Sequence, residues 1–146
     1  MGPTDPEIRE ALGHLAQTVD AHIKSGMHDE SVVRVTPEDL QIAVTILTDR
    51  LGVTHLSAIT GEDLGGRLRV MYHFWRGRGV TLETELAADA ATVASIVDLV
   101  PGATLYEREV HGMLGVVFEG HPDPQPLLLP DGWAGPPPLR KEATGG

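Results

Sequence analysis

The chain has 146 residues, the size of one ordinary domain, and contains no cysteine, which excludes disulfides, thiolate zinc sites and cysteine-ligated iron–sulfur clusters. Eleven Lys and Arg stand against 21 Asp and Glu, and the net charge of −10 opposes binding to phosphate backbones or anionic membrane surfaces. No stretch carries the run of apolar residues that a membrane-spanning helix needs, and the N-terminus lacks the basic and apolar segments of an export signal.

In sequence order, Asp5 is a candidate N-cap with Pro6 at the first helical position. Ile8, Leu12, Leu15, Val19 and Ile23 follow at helical spacing and predict one long amphipathic helix. Residues 32–35 are a short β-branched strand candidate. Thr36-Pro37-Glu38-Asp39 opens a second helix carrying Leu40, Ala43, Val44, Leu47 and Leu51, which Gly52 ends. Three strands are predicted next, at 53–60, 67–75 and 80–86, with 61–66 and 76–79 as hairpin loops. In the middle strand Leu68, Val70, Tyr72 and Phe74 fall on one face, whereas Arg69, Met71, His73 and Trp75 fall on the other. That is the alternation of a sheet covered mainly on one side. A third helix is expected from Asp89 through Val93, Ile96 and Val97 to Pro101-Gly102, and a fourth from Thr104. Together these elements predict an α+β two-layer sandwich, a largely antiparallel sheet with helices on one face.

Residues 119–146 differ from the rest. Seven of these 28 are Pro and five are Gly, so an α+β domain at 1–118 is followed by an extended tail at 119–146. Leu127, Leu128, Leu129 and Trp133 form an apolar group within the tail, which must be covered either by the domain itself or by another protein. Near the end, Leu139-Arg140-Lys141 sets a cationic pair on an acidic protein and suits an acidic partner groove.

The seven histidines contain no pair at the spacing that puts two imidazoles on one helical face, and no glycine-rich loop leads into a helix as a phosphate cradle does. Glu107-Arg108-Glu109 is the densest charged cluster of the domain. Carboxylates two apart on a helix diverge, so Glu107 and Glu109 cannot converge on one substrate atom. Thr104 and Glu107 instead fit the spacing of a capping box. A small acid/base enzyme using Glu109, His111 and His121 is the catalytic alternative, and Glu107 and His111, four apart, could pair on one face. No nucleophile or oxyanion-stabilising set accompanies them. A soluble binding module with a self-folded tail is the other alternative.

Three stretches carry a resemblance: Tyr106-Glu107-Arg108-Glu109-Val110-His111-Gly112-Met113-Leu114-Gly115-Val116-Val117-Phe118-Glu119-Gly120-His121-Pro122-Asp123, then Leu127-Leu128-Leu129-Pro130-Asp131-Gly132-Trp133, then Pro138-Leu139-Arg140-Lys141. Over about residues 105–141 the sequence resembles the 30-kDa subunit of respiratory NADH dehydrogenase, complex I, and its counterparts in membrane-bound hydrogenases and F420H2 dehydrogenases. The resemblance implies a non-catalytic scaffold and assembly subunit of the hydrophilic arm, supporting electron transfer to quinone. The implied position is peripheral, on the cytoplasmic face of the cell membrane. Implied partners are a large subunit resembling the hydrogenase large subunit and the protein bearing the terminal iron–sulfur cluster, with no nucleic acid and no direct membrane span. The resemblance implies no cofactor in this protein itself, while the parent complex would hold iron–sulfur clusters and quinone. The implied motif and interface residues are Glu107, Arg108, Glu109, Gly115, Phe118, Gly120, His121, Pro122, Leu128, Trp133, Leu139, Arg140 and Lys141. Gly112 stands where the family usually has an acid, and Gln125 and Pro126 where it has basic residues. These departures point toward a compact or hydrogenase-like assembly.

Overall fold

A computed structural model describes residues 2–24 and 28–122, with side chains at 2–19 and 30–122. Helix α1 (Asp5–Leu12) is capped by Thr4, whose hydroxyl accepts from the Glu7 amide at 3.4 Å, so the cap lies one residue before the expected Asp5. The helix also stops sooner than its apolar spacing suggests. Gly13 adopts φ 54, a left-handed value that ends the α-helix, and a short 3-10 turn leads into strand β1 (Thr18–Lys24). Val19 and Ile23 therefore belong to a strand, paired antiparallel with β2 (His28–Arg34).

After a 3-10 turn at Pro37–Asp39, helix α2 (Leu40–Asp49) buries Leu40, Ala43, Val44 and Leu47, and a reverse at Gly52 leads to the sheet. Strands β3 (His55–Asp63), β4 (Arg67–Trp75) and β5 (Gly79–Ala87) form the expected meander, and the five-stranded order is β1-β2-β5-β4-β3. Within this sheet every pairing is antiparallel except β2 with β5. Residues 61–63 extend β3 rather than forming loop. A Cβ at Gly61 would run into Leu114 Cδ1, so this glycine lets helix α3 (Ala103–Leu114) lie close on β3.

The two faces of the sheet obey period-2 patterning. Val33, Leu68, Val70, Tyr72, Phe74, Val80, Leu82 and Leu86 are buried in the common core with the apolar faces of α1, α2 and α3. On the opposite face Arg34 bridges Glu83 at 2.9 Å and Glu85 at 3.1 Å, while Arg69 reaches Glu62 at 2.8 Å and Arg67 reaches Glu85 at 3.1 Å. His73 sits between the hydroxyls of Thr60 at 2.8 Å and Thr81 at 3.1 Å. Among the described residues this face is held by cross-strand polar pairs instead of a helical layer.

The expected third helix does not form. After a 3-10 turn at Ala88–Ala90, Thr92–Ala94 is strand β6, which pairs in parallel with β7 (Val117–Glu119). The spacing of Val93, Ile96 and Val97 suits a helix, but Val93 lies opposite Phe118 in this ladder, and that non-local pairing outweighs the local pattern. With α3 as the crossover, β6-α3-β7 is a compact β-α-β unit beside the main sheet.

Candidate functional site

Every described residue of the charged motif belongs to this β-α-β unit. Helix α3 turns an apolar stripe inward at Ala103, Val110 and Leu114, and Glu107 occupies the same stripe, completely buried. The helix ends where Gly115 takes φ 77 and its amide donates to the His111 carbonyl at 2.8 Å, an αL cap.

The expected capping box between Thr104 and Glu107 is absent. The Thr104 hydroxyl donates to the Pro101 carbonyl at 2.8 Å, and the helix begins after Gly102 without a side-chain cap. The Glu107 carboxylate turns inward to the segment after β6. Ser95 Oγ donates to Oε1 at 2.6 Å and the Ile96 amide donates to Oε2 at 2.9 Å. Ser95 Oγ in turn accepts from the Val97 amide at 3.1 Å. The carboxylate thus supplies acceptors to a buried turn that has no helix to satisfy its donors.

Burial pushes the Glu107 carboxyl above its ordinary range, opposed by the bonds from Ser95 and Ile96 and by the nearby His121. Tyr72, wholly buried in β4, has its phenol raised well above 10.0, first by burial and then by the Glu107 charge. Both Glu107 oxygens are committed to the protein's own donors, whereas the buried Tyr72 hydroxyl has no hydrogen-bond partner among the described residues.

The partners flanking the motif close the unit. A hydrogen bond of 2.8 Å joins His111 Nδ1 to the Val116 carbonyl, and one of 2.9 Å joins His121 Nε2 to the Thr104 carbonyl. A carbonyl only accepts, so Nδ1 of His111 and Nε2 of His121 are the donors in these two bonds. Glu107 and His111 accordingly do not pair, although their spacing permits it. Phe118 is buried under α3, Gly120 turns the backbone at φ 87, and the His121 amide donates back to the Phe118 carbonyl at 3.2 Å. Pro122 is exposed, and Arg108 and Glu109 are half-buried on either side of the inward stripe. Glu107, Arg108, His111, Val117, Phe118 and His121 line a pocket with about 20 Å³ of room, space for one water. Among the described residues no three His, Asp or Glu side chains are placed to hold a metal.

The structure therefore brings together Glu107, Arg108, Phe118 and His121, and leaves Glu109 and Gly115 at the helix flank and end and Gly120 and Pro122 in the turn after β7. Leu128, Trp133, Leu139, Arg140 and Lys141 lie outside the described residues. Ser95, Ile96 and the Thr104 carbonyl are hydrogen-bond partners of the motif that carry no sequence signal. The inward direction of Glu107 did carry one: it stands four after Ala103 and three before Val110, on the apolar stripe.

A profile of the family described as "Respiratory-chain NADH dehydrogenase, 30 Kd subunit" matches residues 33–146. The chain is 33% identical to an NADH-quinone oxidoreductase subunit of Rhodobacter capsulatus, over 93% of this chain and 72% of that protein. It is 34% identical to an F(420)H(2) dehydrogenase subunit of Methanosarcina mazei, over 68% of this chain and 66% of the relative. Among solved structures, a chain of the membrane-bound sulfane sulfur reductase, an archaeal respiratory membrane complex, matches with a TM-score of 0.71 at 23% identity, covering 92% of this chain and 82% of that one. A trypsin-resistant fragment (1–134) of Nqo5 matches with a TM-score of 0.60 at 23% identity, covering 72% of this chain and 89% of that one. The last two show the shared fold.

Proposed function

Because the chain belongs to the family of the 30-kDa subunit of respiratory-chain NADH dehydrogenase, we propose that it is a scaffold subunit that holds its neighbours in place and performs no reaction itself. The observation that carries this reading is the commitment of Glu107. The one buried carboxylate of the charged motif is spent on Ser95 and Ile96, stabilising a β-α-β unit from which the chain leaves for its tail.

In this reading the tail lies along the neighbouring large subunit, which resembles the hydrogenase large subunit. Leu128 and Trp133 are its apolar anchors, and Leu139, Arg140 and Lys141 its cationic end. That the Nqo5 match is itself a trypsin-resistant fragment supports a domain that keeps its fold apart from the remainder of its chain. Iron–sulfur clusters and quinone belong to neighbours, and the contribution of this protein is to keep the large subunit against the cluster-bearing one. No helix of the described residues is long and apolar enough to cross a membrane. The complex holds the protein on the cytoplasmic face of the membrane.

Removing the gene and assaying the membranes tests the proposal. Electron transfer to quinone is expected to fall together with loss of the large subunit from the membrane-bound complex, and the purified protein is expected to show no turnover. Loss of electron transfer from a complex that remains fully assembled would overturn it.

A further inference from the structure

Strand β3 (His55–Asp63) ends the five-stranded sheet on one side, paired to β4 along its inner edge. Among the described residues no other strand lies along its outer edge, so the outward backbone amides and carbonyls are open to pairing with another chain. Native edges are commonly guarded by Lys, Pro or a charge near the middle. Here Leu56, Ser57, Ala58, Ile59, Thr60 and Gly61 form an uncharged run without proline, and Glu62 and Asp63 come only at its end.

One guard is present, and it selects the occupant. Ser57 is a β-bulge: Leu56 stands opposite Phe74 and Ala58 opposite His73, so Ser57 has no counterpart on β4. A regular strand laid along this edge meets the irregularity unmatched, whereas a second copy of the same strand brings the same bulge. Two copies pairing antiparallel about a two-fold axis must set one residue against itself, with every facing pair on one side of the sheet. In β3 His55, Ala58, Thr60 and Glu62 share the polar face with Trp75, His73, Met71 and Arg69, while Leu56, Ile59 and Gly61 share the core face with Phe74, Tyr72 and Val70. With Ile59 on the axis and Ser57 skipped in each copy, Ala58 faces Thr60, Leu56 faces Gly61 and His55 faces Glu62, each pair on a single face. The pairs are complementary as well. An exposed imidazole meets an exposed carboxylate at both ends, and a leucine meets a residue with no side chain. With Thr60 on the axis instead, Glu62 would face Ala58 and Asp63 would face Leu56, so carboxylates would lie on aliphatic groups.

We infer that the outer edge of β3 is a homodimerisation surface, on which a second copy pairs antiparallel about Ile59 and joins two five-stranded sheets into one. The contact is one strand wide and belongs to the small, weak class of interfaces, so the dimer forms at about 100 µM protein rather than at nanomolar concentration. It is a property of the free protein and does not rest on the scaffold reading.

The chain contains no cysteine, so introduced thiols report the register without background. His55→Cys and Glu62→Cys, each in the full-length protein, are mixed at about 100 µM and oxidised. In the inferred dimer position 55 of one copy faces position 62 of the other within reach of a disulfide, whereas two copies of either position stand about 20 Å apart along the strands. The mixture is expected to give a covalent dimer and each variant alone to stay monomeric on a non-reducing gel. Light scattering of the parent protein at the same concentration should give a mass between those of one and two chains. Glu62→Lys, which sets Lys opposite His55, should weaken the dimer about tenfold, and adding His55→Glu should restore it. Both positions are exposed, and thermal unfolding of each variant checks that the domain is intact. A parent protein wholly monomeric at about 100 µM, a mixture that gives no covalent dimer, or a single variant that crosslinks to itself as readily as the mixture does would overturn the inference. A dimer seen by light scattering without the crosslink between positions 55 and 62 overturns it too, because the two copies then meet elsewhere.

Discussion

Glu107→Ala is the substitution whose cost the structure specifies best. In the native protein its two oxygens accept from Ser95 Oγ at 2.6 Å and the Ile96 amide at 2.9 Å, both in the interior. Alanine leaves the Ile96 amide without its acceptor, and an unsatisfied buried donor costs about 1–3 kcal/mol. Ser95 loses the acceptor of its hydroxyl proton, and a void opens on the inward stripe of α3, for about 1–2 kcal/mol more. Release of a desolvated carboxylate offsets part of this, so a net loss of about 3 kcal/mol is expected. A domain of this size has about 5–15 kcal/mol in all.

Glu107→Gln behaves differently. Its carbonyl can still accept from the Ile96 amide while its NH₂ donates to Ser95 Oγ, so about 1 kcal/mol is expected. Urea unfolding of the full-length protein, followed by circular dichroism, reads both. With a slope of about 1.5 kcal/mol per molar, the midpoint should fall by about 2 M for Ala and by less than about 1 M for Gln. An Ala midpoint within about 0.5 M of the parent protein, or a Gln variant as damaged as Ala, would refute the assignment of Glu107 as acceptor for the 95–97 turn.

The same carboxyl predicts a pH effect. Its pKa in the folded protein is raised above the ordinary 4.5, so between the two values the native state binds more protons than the unfolded state. Its contribution is most favourable below 4.5 and declines as pH rises through the folded value. The stability difference between the parent protein and Glu107→Gln should thus move in the parent's favour as pH falls from 7 toward 4.5, other carboxylates cancelling in the difference. A gap that stays constant or narrows contradicts this. Gly61→Ala drives a Cβ into Leu114 and should cost about 1–3 kcal/mol, and Leu114→Ala in the same molecule should give less than the sum of the two single losses, as a double-mutant cycle would show. Arg78 donates to the Pro3 carbonyl at 2.9 Å and approaches Asp5 at 3.7 Å with its side chain 17% exposed, so Arg78→Ala should cost about 1–3 kcal/mol and speed proteolysis near α1. Arg67→Ala, 60% exposed, should cost less than about 1 kcal/mol in the same assay.

The parts of the fold that could be read from sequence were those whose pattern admits one period. Leu68, Val70, Tyr72 and Phe74 alternate strictly, and β4 is a strand with that face inward. Val19 and Ile23, by contrast, are four apart and fit a helix or a strand equally. What decides is Gly13 at φ 54 and a partner strand that local spacing cannot reveal. Val93, Ile96 and Val97 misled for the same reason, since the strand that claims Val93 lies 25 residues further on at Phe118. Gly61 looked like a turn because glycine is a common loop residue, but it is demanded by the approach of Leu114, a contact across more than fifty residues. At the site, the resemblance located the motif but could not divide it. Glu107 faces Ser95 and Ile96, while Arg108 and Glu109 flank it, and that division follows from the helical stripe together with a segment whose own sequence gives no warning.

The account rests most heavily on the separation between a self-sufficient domain and a tail that works on a neighbour. Ending the chain after Pro122 and quantifying, by mass spectrometry, the subunits that co-purify with it from native membranes in mild detergent measures that separation directly. The account predicts a soluble domain with a cooperative unfolding transition and with the large subunit absent from the purified material. A shortened protein that brings down the large subunit in full amount, or one that no longer folds, would contradict it.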